Sequence, residues 1–142
     1  MEEWDLPSIG LRKLSALERR RFWDIYQASR KEVVYRWGNT YSRWREIGGA
    51  RLNISLYITN HSVGLFVRGE RGASLRSTRM LLSPRTAELE VALAARLEDE
   101  APLLRSLRLA TTDPTTWKQA YQWLAEREED YFAALSPRRF EG

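Results

Sequence analysis

The sequence predicts an α+β fold: a three- or four-stranded antiparallel, hairpin-based sheet packed by three helices, in the order α-β-β-β-α-β-α. Three observations carry this. Leu52, Ile54, Leu56 and Ile58 alternate with Asn53, Ser55, Tyr57 and Thr59, the period of a strand with one buried face. After Asn60-His61-Ser62, short enough for a hairpin loop, Val63, Leu65 and Val67 resume the alternation up to Gly69. On both sides of this hairpin, apolar residues recur at three- and four-residue steps, the spacing of amphipathic helices.

The first helix starts at Ser15, because Ser15-Ala16-Leu17-Glu18 has the spacing of a capping box, in which the Ser hydroxyl and the Glu carboxylate satisfy each other's free N–H groups. Phe22, Ile25, Tyr26, Ser29 and Val33 form its inward stripe, so it is expected to run to Val33. A turn at Gly38-Asn39 follows, and Trp44 to Ile47 reads as a short edge strand before Gly48-Gly49 breaks the chain. Beyond the hairpin, VRGERGASLRSTR (67–79) reads as a Gly-bracketed arginine loop. Ser83-Pro84 then combines an N-cap with a proline at the first helical position. Leu89, Leu93 and Leu97 carry that helix to Glu98, and acids at its C-terminus oppose the dipole, so that end is expected to fray. Leu104 to Thr111 reads as a strand. Asp113-Pro114, or alternatively Thr116 with Gln119, starts a last helix carrying Trp117, Tyr121, Leu124, Phe132 and Leu135, which Ser136-Pro137 stops. Its acids Glu126, Glu128, Glu129 and Asp130 are expected on or near the wet side. Leu52, Ile54, Leu56, Ile58, Leu65, Leu93, Leu97 and Leu124 are expected in the core.

Nothing divides the chain: residues 1–142 read as one domain, with 1–14 as an N-terminal arm and 138–142 as a loose tail. With 43% hydrophobic residues, six Trp, six Tyr and four Phe there is ample area for a core, each buried aromatic removing roughly 150–250 Å² from water. The absence of cysteine excludes disulfides, thiolate nucleophiles and Cys-ligated metals. MEEWDLPSIG carries acid where a secretion signal needs positive charge, and no stretch is apolar enough to span a membrane, so a cytoplasmic protein is expected.

Charge is unevenly spread. Met1 to Arg85 carries 16 Lys and Arg against 8 Asp and Glu, whereas Thr86 to Gly142 carries 7 against 11. All but Lys13, Lys31 and Lys118 of the 23 basic residues are arginine, the better fork for phosphate, although a GC-rich genome would produce the same bias.

Most catalytic chemistries find no residues. The element order is shared with the core of nucleases built on a PD-(D/E)xK motif, which need carboxylates near the hairpin to hold Mg²⁺, and a lysine. The hairpin from Leu52 to Arg68 contains no Asp, Glu or Lys. The single histidine, His61, stands at the hairpin tip with no acid within several residues. Asp113 and the Glu126 to Asp130 cluster could supply paired carboxylates, but such helical runs are usually solvated. Gly69-x-x-Gly72 lacks the Lys-Ser/Thr of a phosphate loop. No metal or cofactor is expected, and an enzyme with an unfamiliar site stands only as a remote alternative to a non-catalytic module.

Two signals point to binding. Tyr35 to Arg45 interleaves four aromatics with Arg36, Arg43 and Arg45, and exposed aromatics stack bases while arginines neutralise phosphates. The competing reading places Trp37 and Trp44 as caps on the core edge. The second signal is Arg68, Arg71, Arg76, Arg79 and Arg85, offset only by Glu70; its competing reading is a solvated loop. The expected site is one basic face of Arg36, Arg43, Arg45, Arg68, Arg71, Arg76 and Arg79 with Trp37 and Trp44, holding nucleic-acid backbone without reading sequence. The rival partner is another protein or a second copy of the chain, with the acidic last helix of one meeting the basic half of the other.

Trp44-Arg45-Glu46-Ile47-Gly48-Gly49-Ala50-Arg51-Leu52-Asn53-Ile54-Ser55, Val63-Gly64-Leu65-Phe66-Val67 and Ser106-Leu107-Arg108-Leu109, followed by Thr112-Asp113 and Trp117, resemble a bacterial family known as domain of unknown function 4268, over about Leu17 to Pro137. In that family the second hairpin strand commonly carries a glutamate where this chain has Leu65. Its members often adjoin nuclease-like or other DNA-related domains, so the resemblance implies an accessory role near nucleic acid and carries over no catalytic residue.

Overall fold

The computed structural model describes residues 12–137, which form an α+β fold of five strands and four α-helices. The strands are β1 (Trp37–Gly38), β2 (Ser42–Ile47), β3 (Leu52–Thr59), β4 (Ser62–Gly69) and β5 (Arg105–Arg108), and the helices are α1 (Ala16–Ala28), α2 (Leu75–Leu82), α3 (Thr86–Leu93) and α4 (Trp117–Leu135). The sheet order is β1-β2-β3-β4-β5, each strand antiparallel to the next. Most of the expected arm falls outside the described residues, as does all of the tail. Within the described part, Leu14 is buried and its N–H donates to Asn60 Oδ1 at 2.9 Å, so this end of the arm belongs to the core.

The sheet exceeds the expected three or four strands because of β1. Its two residues pair Trp37 with Trp44 and Gly38 with Arg43, which removes β2 from the edge. Asn39 makes the turn: its Oδ1 accepts from the Tyr41 N–H at 2.7 Å, the Asx-turn geometry for which asparagine is suited. At the β2–β3 turn, Gly49 (φ 80°) and Arg51 (φ 62°) take left-handed conformations, natural for glycine and uncommon for arginine.

The helices depart further from expectation. The Ser15 capping box forms, with Ser15 Oγ accepting from Glu18 N at 3.0 Å and Ser15 N donating to Glu18 Oε1 at 2.9 Å. The helix nevertheless ends at Ala28 rather than Val33, where Ser29 Oγ donates back to the Tyr26 carbonyl at 2.7 Å, a side-chain bond that competes with helix propagation. The last five residues of the supposed arginine loop, 75–79, belong to helix α2, capped by Ser74 Oγ, which accepts from Ser77 N at 3.0 Å. Ser83–Arg85 is only a 3₁₀ turn, and α3 stops at Ala94 (φ 51°) before reaching Leu97. Leu97 is buried all the same, its N–H held by Glu90 Oε2 at 2.9 Å. The last helix is preceded by a 3₁₀ turn, Pro114–Thr116, capped by Asp113.

All eight residues expected in the core are buried. Helix α1 contributes Phe22, Trp23 and Tyr26, and the rings of Phe22 and Tyr26 meet Trp117 and Tyr121 of α4 at centroid separations of 4.7–5.9 Å. The polar ends of the two α4 rings find acceptors: Trp117 Nε1 donates to Thr111 O at 2.7 Å and Tyr121 Oη to Phe22 O at 3.0 Å. Burial raises the phenols of Tyr26, Tyr35, Tyr121 and Tyr131 above their ordinary value of 10.0, and the Glu128 charge adds to the shift for Tyr26 and Tyr35. The native state therefore keeps these protons to higher pH than the unfolded chain. Their stabilisation is complete below pH 10 and is lost as pH rises through the native values. Tyrosinate absorbance from these four and loss of the circular dichroism signal should rise together in an alkaline titration; ionisation of all four within a native spectrum would contradict this burial.

Gly64 answers a close approach rather than a turn. A Cβ placed there would lie 2.3 Å from Tyr57 Oη and 2.7 Å from the Arg105 carbonyl oxygen, so the Tyr57 ring crosses β4 where only glycine leaves room. Gly64→Ala should cost about 1–3 kcal/mol by overpacking. Thermal unfolding checks this, and an unchanged midpoint would contradict it.

Candidate functional site

Register divides the predicted site residues between two faces. Side chains alternate across a strand, so Arg43, Arg45 and Ile47 of β2 share a face with Ile54 and Leu56 of β3 and Leu65 and Val67 of β4. Trp44 shares the other with Ser55 and Phe66, and Arg68 lies beside them. Helices α1 and α4 pack on the first face: Gln27 of α1 meets Arg43, and Glu128 and Phe132 of α4 meet Arg45. The single basic face expected from sequence therefore does not exist, because Arg43 and Arg45 point under the helices.

Beneath those helices Glu128 is fully buried, contrary to the expectation that it lies on the wet side of the last helix. Its carboxylate accepts from Tyr26 Oη at 2.7 Å, Tyr35 Oη at 2.7 and 2.8 Å and Arg45 Nη1 at 2.9 Å, and Arg30 Nη2 stands 3.2 Å away. Glu129 bridges the same two arginines from the solvent side, with Arg45 at 2.7 Å. Burial pushes the Glu129 carboxyl up, but the hydrogen bonds of Arg45 and Arg30 outweigh it and hold the group below its ordinary value of 4.5. Every donor aimed at Glu128 belongs to the chain itself, and the group lies away from solvent. It clamps α1, β2 and the segment between them to α4. Arg43 is equally committed: its Nε donates to Gln27 Oε1 at 2.7 Å and its Nη1 to the Asn39 and Ser42 carbonyls at 2.6 and 2.8 Å. Burial lowers its guanidinium, an effect partly opposed by Asp24.

The other face is covered by neither α1 nor α4, with α2 bordering it at the β4 end, and it assembles five of the predicted residues. Cross-strand register aligns Trp37, Trp44, Ser55 and Phe66 in one row over β1 to β4. Trp37, Trp44 and Phe66 are half-buried, which places the tryptophans away from the core rather than as its caps. Ser55, flanked by Trp44 and Phe66, is only 1% exposed although no helix covers it. The Arg68 guanidinium lies 3.7 Å from the Trp44 ring centroid and 5.9 Å from that of Phe66, while Arg71 and Arg36 lie 4.4 and 5.5 Å from Trp37. These distances fall within cation–π range. The side chains of Arg68 and Arg71 form neither hydrogen bond nor ion pair among the described residues. Burial against the rings lowers the Arg68 guanidinium from its ordinary value. Arg36 has one exposed partner, Glu46, at 3.3 Å.

Two concavities flank the row. At the β1 end a cleft of about 480 Å³ is lined by Arg20, Asp24, Arg36, Trp37, Asn39 and Arg43. Along β4 a groove of about 310 Å³ is lined by Phe66, Arg68, Leu75, Thr78 and Pro102. The remaining predicted residues lie elsewhere. Arg79 of α2 donates to the Leu97 and Asp99 carbonyls at 3.3 and 2.6 Å, anchoring the loop after α3. Arg76 borders a separate depression with Met80 and Leu97, and Arg85 pairs with Glu88 at 2.6 Å. Of the nine residues expected, the row thus collects Arg36, Trp37, Trp44, Arg68 and Arg71. Sequence reasoning missed Phe66 and Tyr57, whose rings meet at 6.2 Å; the signal available was their place in the polar phase of two alternating strands. Among the described residues, no three acidic or histidine side chains gather as metal ligands, and no helix is long and apolar enough to cross a membrane. Compared with known proteins, the chain matches no family model, no curated protein and no solved structure.

Proposed function

We propose that the chain is a non-catalytic module that holds nucleic-acid backbone, without sequence preference, on the open face of its sheet. The observation that carries this is Arg68: a partly desolvated guanidinium, held against Trp44 and flanked by Phe66, with no carboxylate partner. A guanidinium has five N–H donors in a planar fork matched to phosphate, and here all of them remain available. Arg71 repeats the arrangement on Trp37. Leaving unpaired cations beside one another is unfavourable, and a polyanion relieves that repulsion.

Fluorescence anisotropy with labelled oligonucleotides tests the reading. Binding at micromolar protein and about 50 mM salt should weaken with added salt, log K falling by about 0.7–0.9 per phosphate neutralised per tenfold change. Replacing Arg36, Arg68 and Arg71 together by Ala should weaken binding and flatten that slope; replacing Arg76, which lies outside the row, should do neither. Absence of any binding to single- or double-stranded DNA or RNA under these conditions would remove the proposal. The rival, in which the acidic last helix of one copy meets the basic half of another, has less charge to draw on, since Glu128 and Glu129 already meet Arg30 and Arg45 within one chain.

A further inference from the structure

We propose that the strand this face takes is single, its bases stacking on the guanidinium–ring layers while its phosphates take the outward N–H groups; this rests on the reading above and narrows its ligand. The face is built in two layers. Trp37 and Trp44, direct cross-strand partners on strands about 4.8 Å apart, form the lower layer with Phe66 two strands further on. Arg71 and Arg68 lie over the two indoles at 4.4 and 3.7 Å and form the upper layer. A ligand descending on the face meets guanidinium planes backed by aromatic rings, and both kinds of surface stack bases. A duplex cannot use them, because its base faces are closed by pairing and stacking.

The charge points the same way. Among the described residues Arg36, Arg68 and Arg71 lie against the rings of the row, Arg108 stands apart on β5 of the same side, and Glu46, also on that side, opposes them. Three neutralised phosphates give a salt slope of only about −2 on a single strand. Proteins that grip duplex by charge alone make about 6–10 such contacts. Stacking supplies what charge does not, each stacked base strengthening binding about 5- to 150-fold. Room for the layer comes from small neighbours: Ser42, Ser55, Gly64 and Ser106 occupy the same side of the sheet, and Gly64 lets Tyr57 lie across its strand beside Phe66.

The test compares three probes on the intact chain by anisotropy: a short labelled oligothymidine, its duplex with oligoadenosine, and an abasic deoxyribose-phosphate oligomer of equal length. The single strand should bind at least about tenfold tighter than either of the others. Equal binding of all three would overturn the stacking inference and leave the backbone reading standing; no binding to any of them would remove both. The Arg68→Lys variant separates plane from charge without emptying the site. It should lose about 5-fold or more toward oligothymidine and keep its affinity for the abasic oligomer. Oligothymidine binding unchanged by Arg68→Lys would overturn the inference. Phe66→Leu, with its thermal midpoint measured to confirm folding, should show the same selective loss, and a loss equal for both probes would count against stacking.

Discussion

Replacing Glu128 by alanine should destabilise the fold by about 3–5 kcal/mol, the usual cost of removing one partner from a buried ion pair. Two tyrosine hydroxyls lose their acceptor, and Arg30 and Arg45, only 14% and 13% exposed, keep the half-exposed Glu129 as their remaining carboxylate among the described residues. A domain of this kind has about 5–15 kcal/mol in total. At about 3–4 °C per kcal/mol for a chain of this length, the thermal midpoint should fall by about 10–20 °C. Glu126, two positions earlier and 70% exposed, provides the contrast: its alanine variant should stay within about 0.5 kcal/mol of the parent. A midpoint lowered by less than about 3 °C in Glu128→Ala would show that the clamp is not structural. The contribution of Glu129 has a defined pH sign. Its carboxyl is held below the ordinary 4.5, so its stabilisation is present above that value and disappears as acid titrates the native group.

Trp44→Ala and Arg68→Ala should each weaken oligonucleotide binding about 5- to 150-fold, the effect of losing one stacking position. The double variant should be little weaker than either single one. Trp44 holds the guanidinium 3.7 Å from its ring, so removing the ring releases the arginine, and removing the arginine leaves the ring without its cationic layer. A double-mutant cycle measures this as a coupling about equal to the loss of either single variant, about 1–3 kcal/mol. Additive losses would mean that the two residues act separately. Arg45→Ala is the informative control. It should lower the thermal midpoint through the Glu128 clamp and leave the affinity of the folded protein unchanged, because its side chain lies on the helix-covered side.

Both predictions turn on positions whose neighbours are distant in sequence. The alternation of β3 and β4 was legible because it is local: a strand paired on both sides imposes its period on eight residues in a row. The capping box at Ser15 was legible for the same reason, being complete within four residues. Helix α2 was not, since the glycines just before it and the arginines within it resemble a loop and its start signal is Ser74, with Thr78 and Leu82 spaced on the buried side.

Read alone, the sequence yields an antiparallel hairpin with flanking amphipathic helices, eight of the residues that fill the core, and a first half crowded with arginine and aromatic residues. Those are properties of composition and short-range period. The tertiary structure alone decided what the arginines meet. Arg43 and Trp44 are neighbours in sequence, yet alternation sends one beneath helix α1 and the other to the uncovered face, and only helix packing selects which face is covered. The same packing brings Glu128 to Tyr26 and Arg45, 102 and 83 residues away, and so turns an acid expected in water into the centre of a buried clamp. Charge and aromaticity are written residue by residue, but a site depends on which of them share a face, and that is settled by long-range burial.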